Sequence, residues 1–457
     1  MERRHASRHG PYAHHLQGRE IRLVLIHPGD WADDIRCSLT AHSPDGASLP
    51  EYSALSYAWG ASNTTEIVTL EDEALPVTVS LANALRFLRH SISPTRMWID
   101  ALCINQRDPI ERSRQVELMR DNYSSCGDVT VFLGDGRNHR PRKGIPRSPG
   151  PLVQYHGDER DQCHIQAFWD ALSDPPSSLS RYHFFSFLRV MGDTKLAPVL
   201  WRKVKDAGWN TVNTLVEELR MMMLSPWWQR VWVVQEMIVS ATAIVRYGAF
   251  QAPWRMLVSA ASAHPPSMLP QESAKVLDHF ARQVQTFEHL RDEWRAAGGA
   301  PLLTLLQDFS ARRSSDERDK VYALLGIVTP KQRTLVRPDY LASVPEVYRD
   351  TTISLIRHSK ALNLWGGDLT RKNRMGLQSY VPDWSAVYQE ADRRRAQVEG
   401  AYNACGSWKL QLITSQNEYW RFVRQGHGTA AKVARVVPGD PAATPFGGLA
   451  PGLQDPH

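Results

Sequence analysis

Glu236 lies in the segment Ser225-Pro-Trp-Trp-Gln-Arg-Val-Trp-Val-Val-Gln-Glu-Met-Ile-Val-Ser240, which carries three tryptophans and one glutamate. Read as a single buried helix, this segment puts Trp228, Trp232 and Glu236 four residues apart on one face. A carboxylate on an indole-lined stripe is costly unless it is paired or used. Apolar walls raise its pKa, and carboxylates perturbed in this way within clefts are candidates for catalysis. The competing reading is structural: Glu236 pairs with Arg230 or a distant arginine and pins the helix.

Two upstream blocks must help to position such a group. Glu51-Tyr-Ser-Ala-Leu-Ser-Tyr-Ala-Trp-Gly60 reads as a short apolar strand ending in a glycine turn. Arg96-Met-Trp-Ile-Asp-Ala-Leu-Cys-Ile-Asn-Gln106 reads as a second buried strand, with Asp100, Asn105 and Gln106 at or beyond its end. Around them, Ile21 to Ile26 is a strand by its β-branched, apolar run, and Ile35 to Thr40 pairs with it. Glu66 to Leu70 and Leu75 to Val79 form a hairpin. Ser80 caps a helix whose apolar stripe is Leu81, Leu85 and Leu88. A strand at Met97 to Ile99, a helix carrying Val116, Met119 and Tyr123, and a strand at Val129 to Leu133 follow.

This alternation argues for an α/β fold with a parallel sheet flanked by helices. Ligands in such sheets sit beyond the carboxyl ends of the strands, where Gly60, Asp100 and Gly134 fall. Asp135 to Pro151 reads as a loop opening an insertion of about 135–224, within which Val212, Leu215, Val216, Leu219, Met222 and Met223 make a helical core stripe. Residues 251–429 read as mainly helical, with one long stripe through Val276, Phe280, Val284, Phe287, Leu290 and Trp294. Ser343 and Glu346 form a capping box for a further helix. Residues 1–20 read as a flexible basic tail, and the Pro/Gly/Ala-rich residues 430–457 as disordered.

The motif blocks, in this order, resemble the fungal heterokaryon-incompatibility (HET) domain: Leu55 to Gly60, Trp98 to Gln106 and Arg230 to Glu236. Arg114 to Cys126 fits the family's next helix, and Asp319-Lys-Val-Tyr-Ala-Leu-Leu-Gly326 and Val381-Pro-Asp-Trp-Ser385 are similar to downstream family segments. The resemblance spans about 21–410 and places the HET domain at 21–250. It implies a signalling module of fungal non-self recognition and programmed cell death, working by self-association or with another incompatibility protein, in the cytoplasm. No cofactor is required by that reading.

A remoter resemblance is to TIR domains, whose Trp-to-Glu helix spacing is kept in Trp232-Val-Val-Gln-Glu236. It implies a TIR-like sheet and, as an alternative activity, cleavage of NAD as substrate by Glu236. Nicotinamide leaves from a pyridinium and needs no proton, so one carboxylate stabilising the developing oxocarbenium suffices. In that alternative Trp59, Gly60, Asp100, Asn105, Gln106 and Trp232 are the ligand-binding candidates. An inactive scaffold is the third reading.

The bulk properties narrow the field. The chain has 457 residues, a formal net charge of +6, and apolar and charged fractions of 42% and 22%, ordinary for a globular protein. Its basic excess sits in Met1 to Gly10, Arg137 to Arg147 and Arg393 to Arg395, without the interleaved aromatics of a nucleic-acid-binding fold. The five cysteines are widely spaced and lack CxxC or His-x-x-x-His partners, so neither zinc nor a disulfide framework is expected. The longest apolar run, Val231 to Val245, is interrupted by Gln235 and Glu236, so no membrane span is expected. Among enzyme signatures, no G-x-S-x-G elbow, H-E-x-x-H or Walker loop is present.

Overall fold

The structure is a computed structural model that describes residues 10–392 apart from 45–48, 62, 137–147, 149, 174–178, 180, 360–363, 365–369 and 375, together with 394, 408–413 and 419–424. The chain divides into two compact units, Met1–Ala297 and Gly298–His457.

The first unit is built on a mixed ten-stranded sheet. The first strand, β1 (Ile21–Ile26), pairs antiparallel with β2 (Arg36–His42), as the β-branched runs predict. After β3 (Ser53–Tyr57) comes the hairpin β4 (Thr65–Leu70) and β5 (Glu73–Thr78). Its two-residue turn, Glu71 and Asp72, has both φ values positive, the type I′ geometry whose twist suits a hairpin. Helix α1 (Val79–Leu88) then leads to β6 (Thr95–Trp98). The cap of α1 is Thr78, not Ser80 as the sequence suggests; Thr78 Oγ1 accepts from Leu81 N at 3.3 Å. Ser80 Oγ instead donates to Ala58 O, which ties the helix start to the end of β3.

The short α2 (Asp100–Cys103) and the long α3 (Pro109–Ser125) connect β6 to β7 (Asp128–Phe132). Asp108 caps α3 by accepting from Ile110 N and Glu111 N, with Pro109 in the first turn where no backbone N–H is needed. Between β7 and β9 (Ala243–Tyr247) the insertion folds as the edge strand β8 (Val153–Gln154) and helices α4 (Gln162–Ser173), α5 (Phe184–Met191), α6 (Ala197–Ala207) and α7 (Asn213–Met223), followed by α8 (Trp232–Val239). The unit closes with β10 (Phe250–Pro253), α9 (Trp254–Ala261) and α10 (Gln271–Ala297), the last carrying the predicted Phe280/Val284/Phe287 stripe.

Strand order is β5-β4-β2-β1-β6-β3-β7-β9-β10-β8. The centre, β6-β3-β7-β9, is parallel, and the antiparallel pairs lie outside it. The connection from β3 to β6 runs one way, and the connection from β6 to β7 returns across β3. The direction therefore reverses beside β3, which puts a crevice beyond the carboxyl ends of β3 and β7. Side chains alternate, so Tyr57, Phe132 and Arg246 share one face under α1, while Ser56 turns to the other, toward α8.

Residues 10–20, expected as part of a tail, are tied to the sheet. Arg22, 2% exposed, forms a bidentate pair with Glu111, at 2.5 and 3.1 Å, and donates to His14 O and Cys103 O. Tyr12 OH donates to Leu102 O, and its ring lies 5.1 Å from the Arg22 guanidinium. Residues 1–9 lie outside the described residues, as do 430–457.

In the second unit the described helices are α11 (Leu302–Asp308), α12 (Asp319–Tyr322) and α13 (Val344–Ser359). The capping box is present: Glu346 accepts from Ser343 N at 2.8 Å and from Ser343 Oγ at 2.7 Å. The unit also holds an antiparallel pair, β11 (Trp408–Ile413) and β12 (Tyr419–Arg424), within the region read as mainly helical.

Candidate functional site

The Trp/Glu segment is not one helix. Pro226–Gln229 is a 3-10 turn, Arg230 is extended, and α8 begins only at Trp232. Trp228 therefore leaves the face shared by Trp232 and Glu236. The cause is local: Pro226 starts a tight turn, and the Arg230 side chain is drawn sideways to donate to Tyr57 O. Trp228 instead packs edge-on to Trp227 at 4.9 Å and near Trp254 and Phe287.

Glu236 is 1% exposed on α8, all eight residues of which are buried. Its carboxylate accepts from Ser56 Oγ, and Ser56 Oγ in turn accepts from Trp227 Nε1 at 2.7 Å. Burial pushes the Glu236 carboxyl up to about 7; Arg230 opposes that rise, the nearby Asp100 adds to it, and the Ser56 hydrogen bond lowers it. Asp100, 8% exposed at the start of α2, is also raised by burial, against the pull of Arg230 and of its bond from Trp59. Trp59 Nε1 donates to Asp100 Oδ2 at 3.0 Å, Ala101 N to Oδ1 at 2.7 Å, and Gln106 Nε2 to the Asp100 carbonyl at 2.9 Å. The Arg230 guanidinium stands 5.8 Å from the Trp59 ring. The three motif blocks thus meet at the carboxyl ends of β3 and β6 in one cluster of two carboxylates, one arginine, a serine and two indoles.

Beside it, on the α1 face, lies a cleft of about 320 Å³ lined by Tyr12, Tyr57, Trp59, Asn105 and Gln106 and by every residue of β5. Of the sequence candidates, Trp59, Asn105 and Gln106 line this cleft, whereas Glu236, Asp100, Gly60 and Trp232 do not. Gly60 has φ +75, and a Cβ there would stand 3.0 Å from Ser80 Cβ, so glycine permits the close seating of α1 on the β3 end. Trp98 is fully buried and packs edge-on against Tyr123 at 5.3 Å, a core role. Ser56 and Trp227, which hold Glu236, had no distinguishing signal in the sequence beyond their place, Ser56 inside the first motif block and Trp227 just ahead of the third.

Cys37, Cys103 and Cys126 are buried free thiols, each pushed up to about 12 by burial, and Cys163 is exposed; Cys405 lies outside the described residues. Among the described residues no group of His, Cys, Asp or Glu is placed to hold a metal ion.

Residues 52–236, which begin in the first block and end on Glu236, match the family model of the heterokaryon incompatibility protein (HET). The chain carries a HET domain. Along most of its length it is also similar to a curated protein, heterokaryon incompatibility protein 6, OR allele, of Neurospora crassa. The two are 26% identical over 448 residues, which cover 85% of this chain and 61% of that protein. The chain thus spans about three fifths of the length of the relative it matches. No solved structure matches, so the TIR likeness has no structural counterpart here. The matched residues hold β3, β6 and β7 of the parallel centre, and the insertion between β7 and β9 lies inside them. Among the described residues no helix is long and apolar enough to cross a membrane.

Proposed function

We propose that the chain is a signalling or effector module of fungal incompatibility, whose HET domain acts by self-association or by contact with another incompatibility protein. The observation that carries this reading is the convergence of all three HET blocks on one closed, hydrogen-bonded cluster, with a cleft beside it. A site built for turnover exposes its working group to substrate, and Glu236 is covered by Ser56, Trp227 and its own helix. In this reading Glu236 fixes how α8 seats on β3, and the contact surface is the neighbouring cleft with Trp59, Asn105 and Gln106.

The alternative, cleavage of NAD at Glu236, requires α8 or the Pro226–Gln229 turn to move before a substrate can reach the carboxylate. Its support is the raised pKa of a carboxyl in an indole-walled site.

The test is expression of the full chain in a fungal host lacking it, from an inducible promoter, with growth and vital-dye uptake followed. Arrest and dye uptake on induction are expected. Normal growth at an expression level that yields folded protein contradicts the proposal.

A further inference from the structure

Arg246 lies on β9, beside Phe132 of β7 and opposite Gln251 of β10. Its Nε is shielded from solvent and meets no acceptor among the described residues. The contact recorded for its guanidinium is with an aromatic face, the ring of Phe87 on α1 at 5.9 Å. Several other arginines with a shielded Nε are compensated: Arg86 faces Glu66, Arg189 faces Asp161 and Asp193, and Arg291 donates to Ser240 O. Burial pulls Arg246 down to about 10, and no carboxylate is close enough to raise it again. Arg246 as a whole is half-buried, and a guanidinium partly withdrawn from water gains when a counter-charge arrives.

Its surroundings suit that arrival. Arg246 stands one strand from the crevice where the chain direction reverses, beyond the ends of β3 and β7. Asn83, four residues before Phe87 on the same face of α1, is 5% exposed, and its Oδ1 has no donor among the described residues. Since Ser80 anchors the start of α1 at the end of β3, Asn83 lies one turn nearer the crevice than Phe87. A half-turn of its amide presents Nδ2 instead, a donor for an oxyanion. The end of β7 opens in a glycine turn in which Gly134 and Gly136 both have positive φ. A Cβ at Gly134 would meet nothing within 4 Å, which leaves room at the crevice.

We infer that Arg246, with Asn83 beside it, forms a binding site for a small oxyanion, a phosphate monoester or a carboxylate, at the carboxyl ends of β7 and β9. A guanidinium offers the bidentate fork that both groups accept. The site is separate from the Glu236 cluster and does not depend on the signalling reading.

The experiment is a thermal-shift titration of the full chain with inorganic phosphate and, separately, succinate, against chloride at constant ionic strength. Wild type, Arg246→Met, Arg246→Lys and Asn83→Ala are compared. A saturable rise in Tm with one of the two anions is expected for wild type, weakened in Arg246→Lys and Asn83→Ala and abolished in Arg246→Met. Which anion gives the rise distinguishes a phosphate from a carboxylate ligand. In chloride alone Arg246→Met should melt at or above the wild-type temperature, because it removes a half-buried charge that has no ion-pair partner among the described residues. The inference is overturned if neither anion gives a saturable shift, if Arg246→Met shifts as wild type does, or if Arg246→Met fails to fold or melts lower in chloride.

Discussion

Arg230 and Arg246 stand at the ends of the same parallel strands, yet they live in opposite conditions. Arg230 is ringed by acceptors and carboxylates: it donates to the Tyr57 carbonyl, lies against Trp59, and its charge acts on both Asp100 and Glu236. Arg246 has an aromatic ring for company. The first arrangement closes a network and fixes how β3, α2 and α8 fit together. The second leaves a charge waiting. A half-buried charge by itself therefore says little about function; what decides is whether the fold already supplies its partner.

The contrast can be broken at four places. Arg230→Met should cost about 3–4 kcal/mol, since it strands two buried carboxylates. A urea midpoint unchanged from wild type would remove Arg230 from the centre of the cluster, and the opposite sign expected for Arg246→Met sharpens the comparison.

A somewhat smaller effect is expected from pH. In the folded protein Glu236 keeps its proton up to about pH 7, whereas a free glutamate ionises near 4.5. Between those values the folded state holds the extra proton, so the stability Glu236 contributes falls as pH rises from 4.5 and is lost through about 7. Glu236→Gln, neutral throughout, should gain on wild type with rising pH, by about 3 kcal/mol at pH 8. Parallel urea stability–pH curves for the two proteins would show that the carboxylate is ionised and well compensated at neutral pH.

Ser56→Ala removes the hydroxyl between Trp227 and Glu236 and leaves both without their partner. A loss of about 1–3 kcal/mol is expected. Thr78→Ala, which uncaps α1 and touches neither arginine, should cost about 1 kcal/mol and leave the pH dependence as in wild type. A changed pH profile in that variant would mean that the seating of α1 is coupled to the Glu236 cluster.

Much of the framework was legible in the sequence because it rests on local patterns. Short β-branched and apolar runs placed β1 to β7 within a few residues, and the apolar stripes of α3, α7 and α10 had the helical period. Asp100 and Gly60 fell at strand ends as expected. The Trp228/Trp232/Glu236 face failed because four-residue spacing presumes an unbroken helix, and a tertiary hydrogen bond from Arg230 to β3 overrides it. The cap of α1 moved from Ser80 to Thr78 because the Ser80 hydroxyl is used in a contact with Ala58. Ser56 as the partner of Glu236 is a contact across 180 positions, beyond any local pattern. Arg246 lies on the less buried side of the strand Ala243 to Tyr247, alternating with Ala243, Val245 and Tyr247, a position where sequence alone gives no reason to single out an arginine.

The most direct measurement is growth of the fungal host expressing Glu236→Gln beside wild type, at matched levels of folded protein, with cellular NAD assayed in the same cultures. If the HET domain signals by contact and Glu236 holds the fold, the variant arrests growth as wild type does, with no loss of NAD preceding arrest in either. Arrest preceded by NAD loss in wild type, with both abolished in Glu236→Gln, would contradict the account and make Glu236 the catalytic residue.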